Sequence, residues 1–165
     1  MNSLLPLATR VADILKARRQ TIAVAEASCG GLISAALLAV PGASAYFLGG
    51  AVVYTAKARI TLLQIPAEAM QGMRASTEPY ARLLAGNAQA RFGADWALAE
   101  SGAAGPTGNR YGDAAGHVCI AVVGTIVTSA THGTGGNDRA GNMRAFAALA
   151  FEHLLRVLEA APPAS

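Results

Sequence analysis

Three clusters of residues in this 165-residue chain have the types and spacing to do chemistry. The first is Glu26-Ala27-Ser28-Cys29-Gly30-Gly31. A hydroxyl and a thiol stand just before a glycine pair, and either is a nucleophile when a base lies nearby. If a helix starts after the glycines, its free amides suit an anion or an oxyanion. The plain structural alternative is that Ser28 caps that helix and Cys29 packs in the core. The spacing is neither the G-x-S-x-G elbow of α/β-hydrolases nor a phosphate loop ending in lysine.

The second cluster is Tyr54, Lys57 and Arg59. A tyrosine at the end of a strand, with cations a few residues on, can orient a nucleophile or bind a phosphate. A lysine becomes a general base once burial lowers its pKa, whereas arginine stays protonated. A solvated helix surface is the competing reading. The third cluster is the loop Ser101-Gly102-Ala103-Ala104-Gly105-Pro106-Thr107-Gly108-Asn109-Arg110-Tyr111-Gly112-Asp113. Its small residues let the backbone approach a ligand. Arg110 suits a phosphate, Tyr111 a ring, and Asp113 or Glu100 a ribose hydroxyl. That mixture fits a nucleotide-like small molecule better than a polymer.

Other chemistry is less well served. His117 and Cys119 fall on one face of a strand, but two ligands do not make a zinc site. Core packing accounts for them, and neither a metal nor a cofactor is expected. The net charge of +3 is small and scattered, and no basic stripe with interleaved aromatics points to nucleic acid. Residues 27–56 carry no charge, which is long enough to span a bilayer. Pro41-Gly42, Gly49-Gly50 and three serines interrupt the stretch, so it reads as loop, short helix, turn and buried strand of a membrane-free protein. No secretory signal is apparent: Asp13 and the basic run Lys16 to Arg19 follow only a short apolar stretch. With two isolated cysteines, a cytoplasmic location is expected.

These clusters need elements to hold them. Residues 4–19 repeat apolar side chains at helical spacing and end in basic residues, as a helix dipole prefers. Thr21 to Ala25 and Phe47 to Tyr54 read as buried strands, and Ala94 to Glu100 as a third. Helices are expected over 32–40, 57–63 and 78–91, the last capped by Ser76 or Thr77. His117 to Val123 and Thr125 to Thr131 form a hairpin joined near Gly124. A last helix runs from Asn137 or Asp138 to Leu158, and Pro162-Pro163 ends the chain. The sum over residues 1–165 is one α/β domain with a mixed sheet and helices on both faces. Apolar residues make up 53% and charged residues 14%, against a usual ~25% charged. With 38 Ala beside 18 Gly, close packing and three small-residue loops at one sheet edge account for the composition.

On these residues the chain resembles the CinA C-terminal domain family. The matching stretches are Ala25-Glu26 with Gly30-Gly31, then Val40-Pro41-Gly42-Ala43-Ser44, then Val53-Tyr54. They continue with Ser101-Gly102, Ala104-Gly105-Pro106 and Gly108, and end at Asp138-Arg139. The likeness runs from about Asp13 to Leu158. It implies a three-layer α/β/α sandwich around a mixed, mostly parallel five-stranded sheet. The family includes nicotinamide-nucleotide amidohydrolases, so it also implies deamidation of nicotinamide mononucleotide to nicotinate mononucleotide and ammonia. A homodimer is compatible with it.

The family mechanism uses a serine nucleophile and a lysine base. Here the serine position is Ala27, with Ser28 one place later, and the lysine position is Arg59, with Lys57 two places earlier. Asp113 stands where many members carry a lysine. The resemblance therefore implies Ser28, Lys57 and Tyr54 as the catalytic set. Glu26, Cys29, Gly30, Gly31, Arg59, Gly102, Gly105, Thr107 and Arg110 are expected to bind substrate. Two alternatives stand beside it: Cys29 as a thiolate nucleophile, or a nucleotide-binding or regulatory module without deamidase activity.

Overall fold

A computed structural model describes residues 2–162. The elements in chain order are α1 (Leu5–Arg18), β1 (Ile22–Glu26), α2 (Leu32–Leu38), β2 (Phe47–Val52), α3 (Ala56–Leu63), α4 (Glu78–Phe92), β3 (Trp96–Ala103), β4 (His117–Val123), β5 (Val127–Gly133) and α5 (Arg139–Ala160), with 3-10 turns at Ala43–Ala45 and Ala67–Met70. The five strands lie in the order β2-β1-β3-β4-β5. The β1/β2 and β1/β3 pairs are parallel, and β3/β4 and β4/β5 are antiparallel, so four strands share a direction and β4 opposes them. This is the α/β sandwich with a mixed five-stranded sheet that the family resemblance implies.

Alternation along the strands makes the two sheet faces unlike. Ile22, Val24, Trp96, Leu98, Val118, Ile120 and Val122 join a core with α1, α2 and α5. The opposite face presents Ala23, Ala25, Ala97, Ala99, Cys119 and Ala121 to a second core with α3 and α4. Ala25, Ala99 and Ala121 form one row across three strands. A side chain this short lets a helix lie close to the sheet. The surplus of alanine is thus largely a sheet face and its helices, rather than the loops.

The charge-free stretch 27–56 resolves into loop, α2, turn and β2, and among the described residues no helix is long and apolar enough to cross a membrane. Four strands differ from their expected bounds: β1 runs one residue later, and β2 stops at Val52 and, as an edge strand, is largely uncovered rather than buried. β3 continues past Glu100, because Ser101, Gly102 and Ala103 pair with Cys119, Val118 and His117. β5 begins at Val127, since Gly124 to Ile126 form the hairpin turn. Gly124 is needed there: the Trp96 indole fills the space a side chain would take. Thr77 caps α4 through its hydroxyl, while Asp138 stands at the start of α5 without a side-chain cap bond. Of the expected end, Pro163 lies outside the described residues.

Candidate functional site

The site forms where β1 and β3 end, the edge at which parallel strands in α/β folds present their ligands. Alternation puts Glu26 on the same face as Ile22 and Val24, and Glu100 on the same face as Trp96 and Leu98. The two glutamates are register partners on adjacent strands, and both are fully buried. Each carboxylate folds the loop after β1 around itself. Glu26 Oε2 accepts from the Gly31 and Ile33 amides at 3.0 Å each, and its Oε1 from the Ser34 amide at 2.9 Å and hydroxyl at 2.6 Å. Glu100 Oε1 accepts from the Ala27 amide at 2.8 Å and the Cys29 amide at 2.6 Å. Its Oε2 accepts from Ser28 Oγ at 2.5 Å.

Those bonds reassign several residues. Glu26 is the cap of α2, not a ligand for substrate, and it occupies the amides expected to hold an anion. Gly30 and Gly31, at φ +65° and +102°, make the left-handed turn into that helix. Cys29 is fully buried in the core with Val24 and Ile33. Burial, with Glu100 and Glu26 beside it, pushes its thiol well above the ordinary range. Fully buried and outside the cleft lining, Cys29 offers no thiolate to a ligand there. Glu100 already uses both carboxylate oxygens on Ala27, Cys29 and Ser28, which leaves none for a ribose hydroxyl. Burial raises its pKa and Glu26 adds to the rise, while the bonds from Cys29, Ser28 and Ala27 oppose it.

Above Ser28 opens a cleft of about 210 Å³. Its walls are Ser28, Tyr54, the backbone from Gly102 to Gly105, Thr107, Gly108, Asn109 and Arg139. Gly102, Gly105, Thr107 and Tyr54 therefore stand where a cleft ligand would meet them. The glycines answer an internal demand too. A Cβ at Gly102 would collide with the His117 carbonyl, and one at Gly105 would lie 2.8 Å from the Asn137 carbonyl oxygen.

Arg139, which opens α5, has no role in the sequence reading. Its guanidinium donates to the Gly105 carbonyl at 2.7 Å and to the Tyr54 hydroxyl at 3.4 Å, tying the Tyr54 wall to the Gly102–Gly105 wall. Asn142, one turn on and buried, donates to the Ala104 and Gly136 carbonyls at 2.8 and 2.9 Å. The Asp138-Arg139 pair was visible as a family motif, but nothing local told that α5 begins at the cleft.

The remaining expected residues lie elsewhere. Lys57, in the first turn of α3, is exposed, does not line the cleft, and has no ion pair among the described residues. Arg59 turns inward from the same helix, and its guanidinium lies beside the Tyr80 hydroxyl of α4 with Nε unpartnered. Helical geometry separates the two by about 200°, so one faces water and the other α4. Arg110 is exposed and lies over the Tyr111 ring at 5.4 Å, with Arg74 at the same distance from that ring. Asp113 is bound by Arg74 through both carboxylate oxygens and by Asn109 Nδ2 at 2.8 Å. The Arg74 guanidinium holds the Asp113 carboxyl down at about 2. Asp113 thus closes the third loop on itself instead of facing a ribose. His117 and Cys119 both bond the Ser76 carbonyl, at 2.9 and 3.4 Å.

Comparison with known proteins gives one consistent result. The CinA C-terminal domain model matches residues 4–158. A CinA-like protein of Prochlorococcus marinus is 43% identical over 72% of this chain, and one of Desulfosudis oleivorans 36% identical over 93%. This chain spans 28% and 38% of the length of those two relatives. Among solved structures, the competence damage-inducible protein A of Klebsiella pneumoniae superposes with a TM-score of 0.90 at 28% identity, covering 96% of this chain and 99% of that one. The competence/damage inducible protein of Agrobacterium tumefaciens gives 0.83 at 28% identity, covering 94% and 95%.

Proposed function

This chain belongs to the CinA C-terminal domain family, and from that premise we propose that its cleft binds nicotinamide mononucleotide and hydrolyses the carboxamide to nicotinate mononucleotide and ammonia. One observation carries the reading: Ser28 lines the cleft while its hydroxyl is bonded to a buried carboxylate. A serine with a proton acceptor at hydrogen-bond distance is the arrangement that acyl transfer requires. The cleft is below the roughly 300–1,000 Å³ of sites that enclose drug-sized molecules. It suits the pyridine carboxamide and ribose, with the phosphate at the mouth beside Arg139 and Tyr54. Arginine is the side chain best fitted to a phosphate there. The Gly102–Gly105 backbone supplies close approach for the ring and sugar.

The test is ammonia release from nicotinamide mononucleotide by the purified protein, beside Ser28→Ala. Turnover by the parent and its loss in the variant are expected. A parent rate no greater than the blank overturns the reading. A second reading, a nucleotide-binding module without turnover, is favoured by Ala27 and Arg59 at the family's serine and lysine positions and by the exposure of Lys57. Calorimetry with pyridine and adenine nucleotides separates the two, because binding without ammonia release supports the module.

A further inference from the structure

We infer that Glu100 takes the proton from Ser28, and that this buried carboxylate serves as the base of the site. The inference rests on the hydrolytic reading of the cleft and gives it the base that Lys57 does not supply. The Ser28 Oγ donates to Glu100 Oε2 at 2.5 Å, so the proton already points at its acceptor. The Ala27 and Cys29 amides hold the other carboxylate oxygen, which fixes the group in one orientation and leaves Oε2 for the hydroxyl. Ser28 lines the cleft and Glu100 lies fully buried beneath it, so the serine stands between substrate and base. The side chains that could compete are poorly suited. Tyr54 and Arg139 are the ionisable groups of the cleft wall, and a guanidinium cannot accept a proton at working pH. Desolvation strengthens Glu100 as a base, and the neighbouring Glu26 acts in the same direction.

The step balances without any further reactant than water. As Ser28 Oγ bonds the carboxamide carbon, its proton passes to Glu100 Oε2 and the carbonyl electron pair moves onto oxygen. The carbonyl re-forms, the C–N bond breaks, and nitrogen leaves as ammonia with the proton from Glu100. Water then attacks the acyl-serine ester and gives a proton to Glu100. When the ester C–O bond breaks, that proton returns to Ser28 Oγ, leaving the acid.

The experiment uses the full chain, nicotinamide mononucleotide, and a small sulfonyl fluoride that labels activated serines. Glu100→Gln keeps the shape and an oxygen for the two amides while removing the basic oxygen that faces Ser28. It is expected to lower kcat by about 10²–10⁴-fold with KM nearly unchanged. Labelling of Ser28 should slow in parallel. In the parent, the labelling rate should rise with one ionisation above the ordinary carboxylate range. The titratable groups facing Glu100 are Glu26 on β1 and the Cys29 thiol in the loop, and the thiol is pushed too high to account for that limb. A Glu100→Gln variant that keeps its kcat and labelling rate within about threefold overturns the inference. So does parent labelling that rises only in the alkaline range, a result that needs no variant to fold. Labelling that follows Glu100 without ammonia release leaves the Ser28–Glu100 pair standing and removes the proposed substrate instead.

Discussion

Glu26 and Glu100 face each other across two parallel strands, and between them they accept five backbone N–H groups and two serine hydroxyls from residues 27–34. Two buried carboxylates side by side are costly unless donors surround them. Here the donors are the loop itself, so the loop's conformation and the burial of the pair depend on each other. The division of labour follows from which amides each reaches. Glu26 holds the start of α2, and Glu100 holds Ser28.

Glu26→Ala is therefore expected to damage the fold rather than a binding step. Three amides and the Ser34 hydroxyl lose their acceptor, and a destabilisation of about 2–4 kcal/mol is expected. Urea unfolding of parent and variant measures it. A change below about 0.5 kcal/mol would show that water replaces the carboxylate freely.

Arg139→Ala should act on ligand and not on stability, because the side chain is exposed and bonds one carbonyl and one tyrosine. The Kd for nicotinamide mononucleotide should weaken by about tenfold or more, as loss of a charged hydrogen bond to phosphate implies. Nicotinamide riboside, which lacks the phosphate, should bind parent and variant alike. Calorimetry with both ligands checks the pair. Equal weakening for both would place the phosphate elsewhere.

The third loop should carry an acid-sensitive part of the stability. Arg74 lowers the Asp113 carboxyl from 3.8 to about 2. A carboxylate depressed in the folded state contributes stability that is fully present above its unfolded pKa and is lost as pH falls through the folded one. The stability gap between parent and Asp113→Asn should thus stay constant from neutral pH down to about 4, then close towards pH 2. Urea midpoints across that range read the gap directly. A gap that widens on acidification would contradict the assignment.

The alanine row should resist enlargement. Ala99 is fully buried between Ala25 and Ala121 under α4. Ala99→Val adds two methyl groups where helix and sheet meet, and about 1–3 kcal/mol of destabilisation is expected from overpacking. Thermal unfolding tests it. An unchanged or raised midpoint would mean that α4 stands off the sheet.

Much of the architecture was legible because it rests on local signals. Apolar runs at strand or helix spacing, turn residues at Pro41-Gly42 and Gly124, and the Thr77 cap are each written within a few residues. Even the pairing of Glu26 with Glu100 is latent in strand alternation, which carries both to the face of Ile22 and Trp96. The sequence also marks Ser28, Tyr54 and the Gly102–Thr107 loop as chemistry-bearing, and these three segments do meet at one cleft. Register and helix direction decided the rest. Only β1/β3 pairing brings Glu100, 72 residues away, under Ser28. Only the course of α5 brings Arg139 to Tyr54, 85 residues apart. Lys57 and Arg59 differ by two residues in the chain, yet one faces solvent and the other the Tyr80 hydroxyl. Residue types and spacing supply the candidates, because propensity and periodicity act over a few residues. Which candidates touch is settled by long-range packing, because buried charges must find their partners across the sheet.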